Sequence, residues 1–338
     1  MTDNTYGSED QYPSGFSLFL ILYCTIILFS LNCSLDAPRD NPLDPNLGGN
    51  IWGRVLSRNS YGIAEVEVSI PDVDVITYTD TSGDFGLYVL PEDSMYIFFT
   101  HDSYSPESAI IVPKTSEIDT IIVELNGLPY FINCDVTTHY YDRNLPAGPL
   151  YFCELSTIAG DIDGDIDIDS VLVEIPALSY SQRLNYDPDI QMFMHKLYAD
   201  ELPGMTLEAL VGKQIFFKII DKDNTAVRSS PYYISRIIYQ SPDVIFPSGG
   251  LDVLIADTTF IWHKYDYGFY VHYHGEIVRI IGGGPAGVAS EFDVFAQNDT
   301  TYNVSVSILD PGEYYWTLEV IDSFGNSARS KEERFYRD

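Results

Sequence analysis

Residues Asp161-Ile-Asp-Gly-Asp-Ile-Asp-Ile-Asp169 set five carboxylates at every second position. On a β-strand, where side chains alternate with period two, all five point to one face about 7 Å apart, and such a row needs water or a cation to screen it. On a loop the oxygens of Asp161, Asp163, Asp165, Asp167 and Asp169 converge as hard ligands for calcium. The spacing is not that of an EF-hand, because Gly164 falls fourth from Asp161 and the closing glutamate is missing. Two readings stay open: a calcium site, and a solvated acidic turn between strands.

A second stretch, Ile277 to Ser290 ("IVRIIGGGPAGVAS"), has the form of a dinucleotide-gripping turn, an apolar strand followed by GxGxxG. That chemistry needs a helix whose N-terminus holds the pyrophosphate, then a second strand ending in an acid for the ribose. After Gly287 the chain runs instead into "VASEFDVFAQNDTTYNVSV", β-rich at once. The glycines are therefore expected to form a loop between strands, with no cofactor.

His272 and His274 stand two apart on an expected strand, with His263 on a candidate neighbouring strand, but a third fixed ligand for a metal is not evident. Trp52, Trp262 and Trp316 can stack on a sugar, although most such rings are expected to fill cores. No Ser-His-Asp, Cys-His or paired-carboxylate arrangement can be singled out. The expected role is binding, not catalysis.

The elements that must position these residues are strands. The chain has 338 residues, 45% of them hydrophobic, with 26 tyrosines and 18 phenylalanines. Runs of β-branched and aromatic residues alternate with polar ones, and helical periodicity is scarce. Eighteen basic against 50 acidic residues give a formal charge of −32, which repels nucleic acid and anionic headgroups. Nucleic acid is thus not an expected partner.

From Phe16 to Leu31 the chain is apolar and uncharged, near the length of a signal-peptide core and short for a membrane span. Ser30-Leu31-Asn32-Cys33 follows, and it resembles the lipobox of bacterial lipoproteins, although Ser30 and Asn32 stand where that family has Leu and a small residue. The resemblance implies that Cys33 carries a lipid anchor. The polar, proline-bearing segment Ser34 to Gly49 suits an extended tether; an uncleaved anchor or simple secretion are the other readings. Export leaves Cys134 and Cys153 as an even pair in an oxidising compartment, with Cys24 inside the apolar run. A disulfide between them is expected, two buried free thiols being the alternative.

Three β modules follow. Residues 50–128 resemble the carboxypeptidase regulatory-like, transthyretin-like family through Ile51, Gly53 and Val55, Thr79-Asp80, Gly83-Asp84-Phe85, Leu87, Leu90-Pro91 and Tyr104, with Ser103 in place of the usual glycine. That resemblance implies a structural accessory module. Residues 129–239 fit an immunoglobulin-like sandwich. Residues 240–338 resemble a fibronectin type III domain in Trp262, in Trp316, in "IDSFGNSA", and in Leu309-Asp-Pro-Gly-Glu-Tyr314, which has the form of a tyrosine corner.

The expected architecture is all-β: three tandem β-sandwich domains after a signal and lipobox segment (1–33) and a proline-rich tether (34–49). The expected function is that of a lipid-anchored binding or scaffolding protein of the bacterial cell envelope, at the outer membrane or cell surface. Its expected partners are the membrane, through the anchor, and an envelope protein or glycan; the alternative is a glycan-binding accessory protein for polysaccharide capture.

Overall fold

The computed structural model describes residues 51–89, 94–113, 119–144, 148–250 and 252–338. The signal and lipobox segment with Cys24 and Cys33, the tether, and Leu90-Pro91 lie outside the described residues. The described residues form strands and short 3-10 turns. In chain order the strands are β1 Ile51–Ser57, β2 Glu67–Ile70, β3 Val75–Tyr78, β4 Asp84–Leu87, β5 Met95–His101, β6 Tyr104–Ile111, β7 Asp119–Leu125, β8 Pro129–Tyr141, β9 Leu150–Asp161, β10 Ile168–Ile175, β11 Tyr180–Arg183 and β12 Asn185–Asp187. They continue with β13 Met192–Tyr198, β14 Phe216–Asp221, β15 Ala226–Arg228, β16 Val244–Phe246, β17 Val253–Leu254, β18 Thr258–Trp262, β19 Val271–Ile281, β20 Gly284–Val294, β21 Thr301–Val304, β22 Gly312–Asp322, β23 Ser327–Arg329 and β24 Glu333–Arg337.

The described residues divide into two compact units, one comprising those of 51–55 with Gly62–Phe99 and Ser108–Val123, the other those of Leu56–Tyr61, Thr100–Glu107 and Glu124–Asp338. In the smaller unit the sheets run β4-β1-β7 and β3-β2-β5-β6. Period-two alternation buries Ile51 and Val55 on β1 and Met95, Ile97 and Phe99 on β5. The two inner faces meet where Phe85 packs edge-on against Phe99, with ring centroids 5.8 Å apart.

The larger unit is organised by one long sheet, β12-β13-β9-β8-β23-β22-β19-β20. Segments 129–239 and 240–338 join within it, because β23 pairs in parallel with β8 through Ser327 with His139 and Ala328 with Tyr140. Opposed residues share a face, so the register from Cys153 to Thr138, through Tyr140 and Ala328 to Val320, puts both sandwich cores on one side of the long sheet. A sheet β11-β10-β14-β15 covers the first half and a sheet β16-β18-β21 the second. Under the first lie Leu155, Val171, Val173, Phe217 and Ile219; under the second lie Phe260, Trp262, Trp316, Leu318 and Phe335.

Burial of each such ring contributes about 2–3 kcal/mol. Trp316 is also oriented, since its indole N–H donates to the Pro247 carbonyl at 2.8 Å. The corner expected at Tyr314 is formed by its hydroxyl, which donates to the Asp310 carbonyl at 2.8 Å.

Candidate functional site

The acidic run lies at the turn between β9 and β10, in the larger unit. Strand β9 ends at Asp161, whose Oδ1 accepts the Asp163 N–H at 2.8 Å, the bond by which an aspartate closes its own turn. Gly164 takes φ 111 and a 3-10 turn covers Asp165–Asp167, so the run is a turn and not a strand. This breaks the period-two row. Asp161, Asp163 and Asp167 each bring one carboxylate oxygen within 4.8 Å of the others. Asp165 and Asp169 remain exposed and outside that group.

Residues from distant parts of the chain complete the surroundings. Asp163 Oδ2 accepts the Gly127 N–H at 2.6 Å, an approach that needs glycine, since a Cβ there would lie 2.7 Å from Ile162. Asn59 Nδ2 donates to the Asp163 carbonyl at 3.1 Å. Arg58 reaches Asp167 Oδ2 at 3.4 Å and pairs closely with Asp223. Beside them Asp221, 1% exposed, accepts the side-chain amide of Asn126 at 2.6 Å. The Asp161 carboxyl is pushed up to about 6, chiefly by burial, with the Asp163 N–H bond pulling it back and the charges of Asp167, Asp163 and Asp221 adding to the rise.

Arg58, Asn59, Asn126, Gly127, Asp221 and Asp223 escape a reading of the 161–169 motif alone, because their only common property is position in space. A signal for Asp221 does exist in the similarity of "IIDKDNTAVRS" to "VIDSFGNSARS", two hairpins of one design.

The other expected features fall out differently. The disulfide between Cys134 and Cys153 is not made: both are free. In the register of β8 and β9, Cys134 faces Thr157 and Cys153 faces Thr138, which sets the thiols four strand positions apart. That is about 13 Å, beyond the reach of a disulfide. Burial raises both thiols, Cys153 to about 12, so they serve as small apolar groups.

The stretch Gly282 to Gly287 is a hairpin. Gly282 and Gly283 take φ 63 and φ 83, the paired positive values of a tight two-residue β-turn, and β20 then runs back along β19.

The three histidines do not assemble. His274 bonds Asp293 at 2.9 Å and His272 stacks on Phe295, whereas His263 follows β18, which lies in a different sheet from β19. Trp262 and Trp316 are core residues, and Trp52 is 41% exposed.

No protein family and no curated protein matches this chain. Solved structures that resemble it include the FN1-FN3 domains of chicken CNTN1, at a TM-score of 0.23 and 11% identity, covering 62% of this chain and 64% of that one. A DUF3823 family protein from Bacteroides ovatus gives a TM-score of 0.24 at 7% identity, covering 54% of this chain and 97% of that one. The fibronectin(III)-like modules of Clostridium thermocellum CbhA give 0.26 at 10% identity, covering 62% and 93%.

Proposed function

We propose that the chain is a non-catalytic binding or scaffolding protein of the bacterial cell envelope, held at the membrane by a lipid on Cys33 and carrying its β modules outward on the 34–49 tether. The observation that supports this reading most is the long sheet. By running unbroken from β12 to β20 it makes segments 129–239 and 240–338 one stiff body, as suits a spacer or platform. The fibronectin type III-like corner at Tyr314 and the regulatory-like pattern of residues 50–128 belong to the same reading.

Membrane fractionation of wild type and Cys33→Ala tests it. The wild type is expected with the membrane and the variant in the soluble fraction; a variant that stays with the membrane overturns the anchor.

A second reading, glycan capture, is favoured by aromatic rings on the outer faces of the smaller unit. Trp52 and Tyr88 are exposed at 41% and 42%, and Tyr96 and Phe98 at 54% and 39%. Flat exposed rings stack on sugars. Binding to a polysaccharide panel that is lost in Trp52→Ala would favour this reading over the first.

A further inference from the structure

We propose that Asp161, Asp163 and Asp167 hold a calcium ion. Two oxygens bound to one calcium at about 2.3–2.6 Å stand no more than about 5 Å apart, and the three side chains satisfy that limit, each with one oxygen within 4.8 Å of the others. A second, independent observation is that Asp161 is only 5% exposed while its Oδ2 has no hydrogen-bond partner. Asp163 Oδ1 is buried without one as well. A carboxylate oxygen shut away from water with no donor is strongly destabilising until a proton or a cation satisfies it.

In both side chains the other oxygen is already engaged, Asp161 Oδ1 by the Asp163 N–H and Asp163 Oδ2 by the Gly127 N–H. Those bonds hold the two carboxylates in place and leave one oxygen of each for a ligand. Arg58 does not meet this need, since its contacts are with Asp167 and Asp223.

The chemistry of the donors names the ion. An all-carboxylate set selects a hard cation over zinc or copper. Turn geometry places these oxygens irregularly, which calcium accepts and magnesium, with its demand for a near-ideal octahedron, does not. Water and backbone carbonyls complete the shell. The bound ion would also fix the positions of Gly127 and Asn59, both of which lean on residue 163.

Calorimetric titration of the chelator-stripped full chain with calcium chloride tests the site. One ion per chain is expected, with a dissociation constant of about 10⁻⁵ to 10⁻³ M, a melting temperature that rises with calcium, and binding of magnesium at least about tenfold weaker. Asp161→Asn and Asp163→Asn should each weaken calcium at least about tenfold, while the exposed Asp169→Asn, outside the group of three, stays within about twofold of wild type. In chelator Asp161→Asn should melt at or above wild type, and in calcium below it, a crossing that separates ligand loss from misfolding. Should that variant fail to fold, the half-buried Asp167→Asn, which also gives up its contact with Arg58, should likewise weaken calcium at least about tenfold. No heat with calcium overturns the proposal. Equal melting shifts with calcium and magnesium, or equal losses in the Asp161 and Asp169 variants, overturn it too, because they mean screening of a diffuse acidic patch.

Discussion

The hairpins at Asp221 and Asp322 share one design and meet different surroundings. In each an aspartate ends a core strand and its Oδ1 accepts two backbone N–H groups, from Asp223 and Thr225 in one and from Phe324 and Asn326 in the other. The third residue beyond the aspartate takes positive φ, Asn224 at 66 and Gly325 at 83. An Arg-Ser pair follows, and Ser229 and Ser330 accept equivalent N–H groups from Phe217 and Leu318.

The second carboxylate oxygen sets the two apart. At Asp322 it is closed off by Arg236 at 3.0 Å and by Asn326 at 3.1 Å. At Asp221 it receives the neutral Asn126 amide, and further carboxylates gather close by. One hairpin carries its counter-ion as a side chain, whereas the other stands beside the site where we place calcium. Local sequence sets the turn; the neighbours decide how its charge is neutralised.

The largest effect should come from removing the closed aspartate. Asp322→Ala leaves Arg236 without its partner and strips the turn of its acceptor, so a loss of about 3–5 kcal/mol is expected, against about 1–2 kcal/mol for Asp221→Ala. Urea unfolding followed through Trp262 and Trp316 measures both. Equal losses would remove the distinction between the hairpins.

Acidification should strain the closed side next. His139 Nδ1 bonds Ser327 of that hairpin at 2.7 Å, its Nε2 bonds Thr137 at 2.8 Å, and its ring stacks on Phe152 with Glu154 and Lys196 nearby. Burial lowers its pKa from 6.5 to about 4, with Glu154 opposing and Lys196 assisting. The unfolded chain therefore takes the proton first. The contribution is whole above pH 6.5 and is lost as pH falls toward 4, at most about 3 kcal/mol. Melting temperatures of wild type and His139→Gln across that window check this, and the variant's curve should be the flatter of the two.

Smaller effects separate the glycines. Gly325→Ala forces a side chain into positive φ with Thr137 Cγ2 at 3.0 Å, and about 1–2 kcal/mol of stability should be lost. Gly284 has open space around it and no positive φ, so Gly284→Ala should stay within about 0.5 kcal/mol. A larger loss at Gly284 than at Gly325 would contradict the backbone assignment.

Much of the strand pattern was legible beforehand. Alternation in "VHYHGEIVRII" reads directly as β19, with Tyr273 and Ile277 inward and His272 and His274 on the other face. The Leu309 to Tyr314 pattern announced its corner. The candidate site was legible only in part: the aspartate run announced acid, but not that Asp161, Asp163 and Asp167 would meet while Asp165 and Asp169 stay outside. The pairing of Cys134 with Cys153 was not legible, because adjacency of two strands does not bring two residues together; register sets the distance.

By itself the sequence determined the all-β class and the places where the chain turns, because alternation, β-branching, glycine and aspartate act through near neighbours on the backbone. Only the tertiary structure decided that Thr138 and Asn326, 188 residues apart, would bond and weld two segments into one sheet. It likewise decided which carboxylates are buried together and which hairpin acquires an arginine. The physical reason is that pairing and register minimise the free energy of the whole core at once, and no local window of sequence contains that sum.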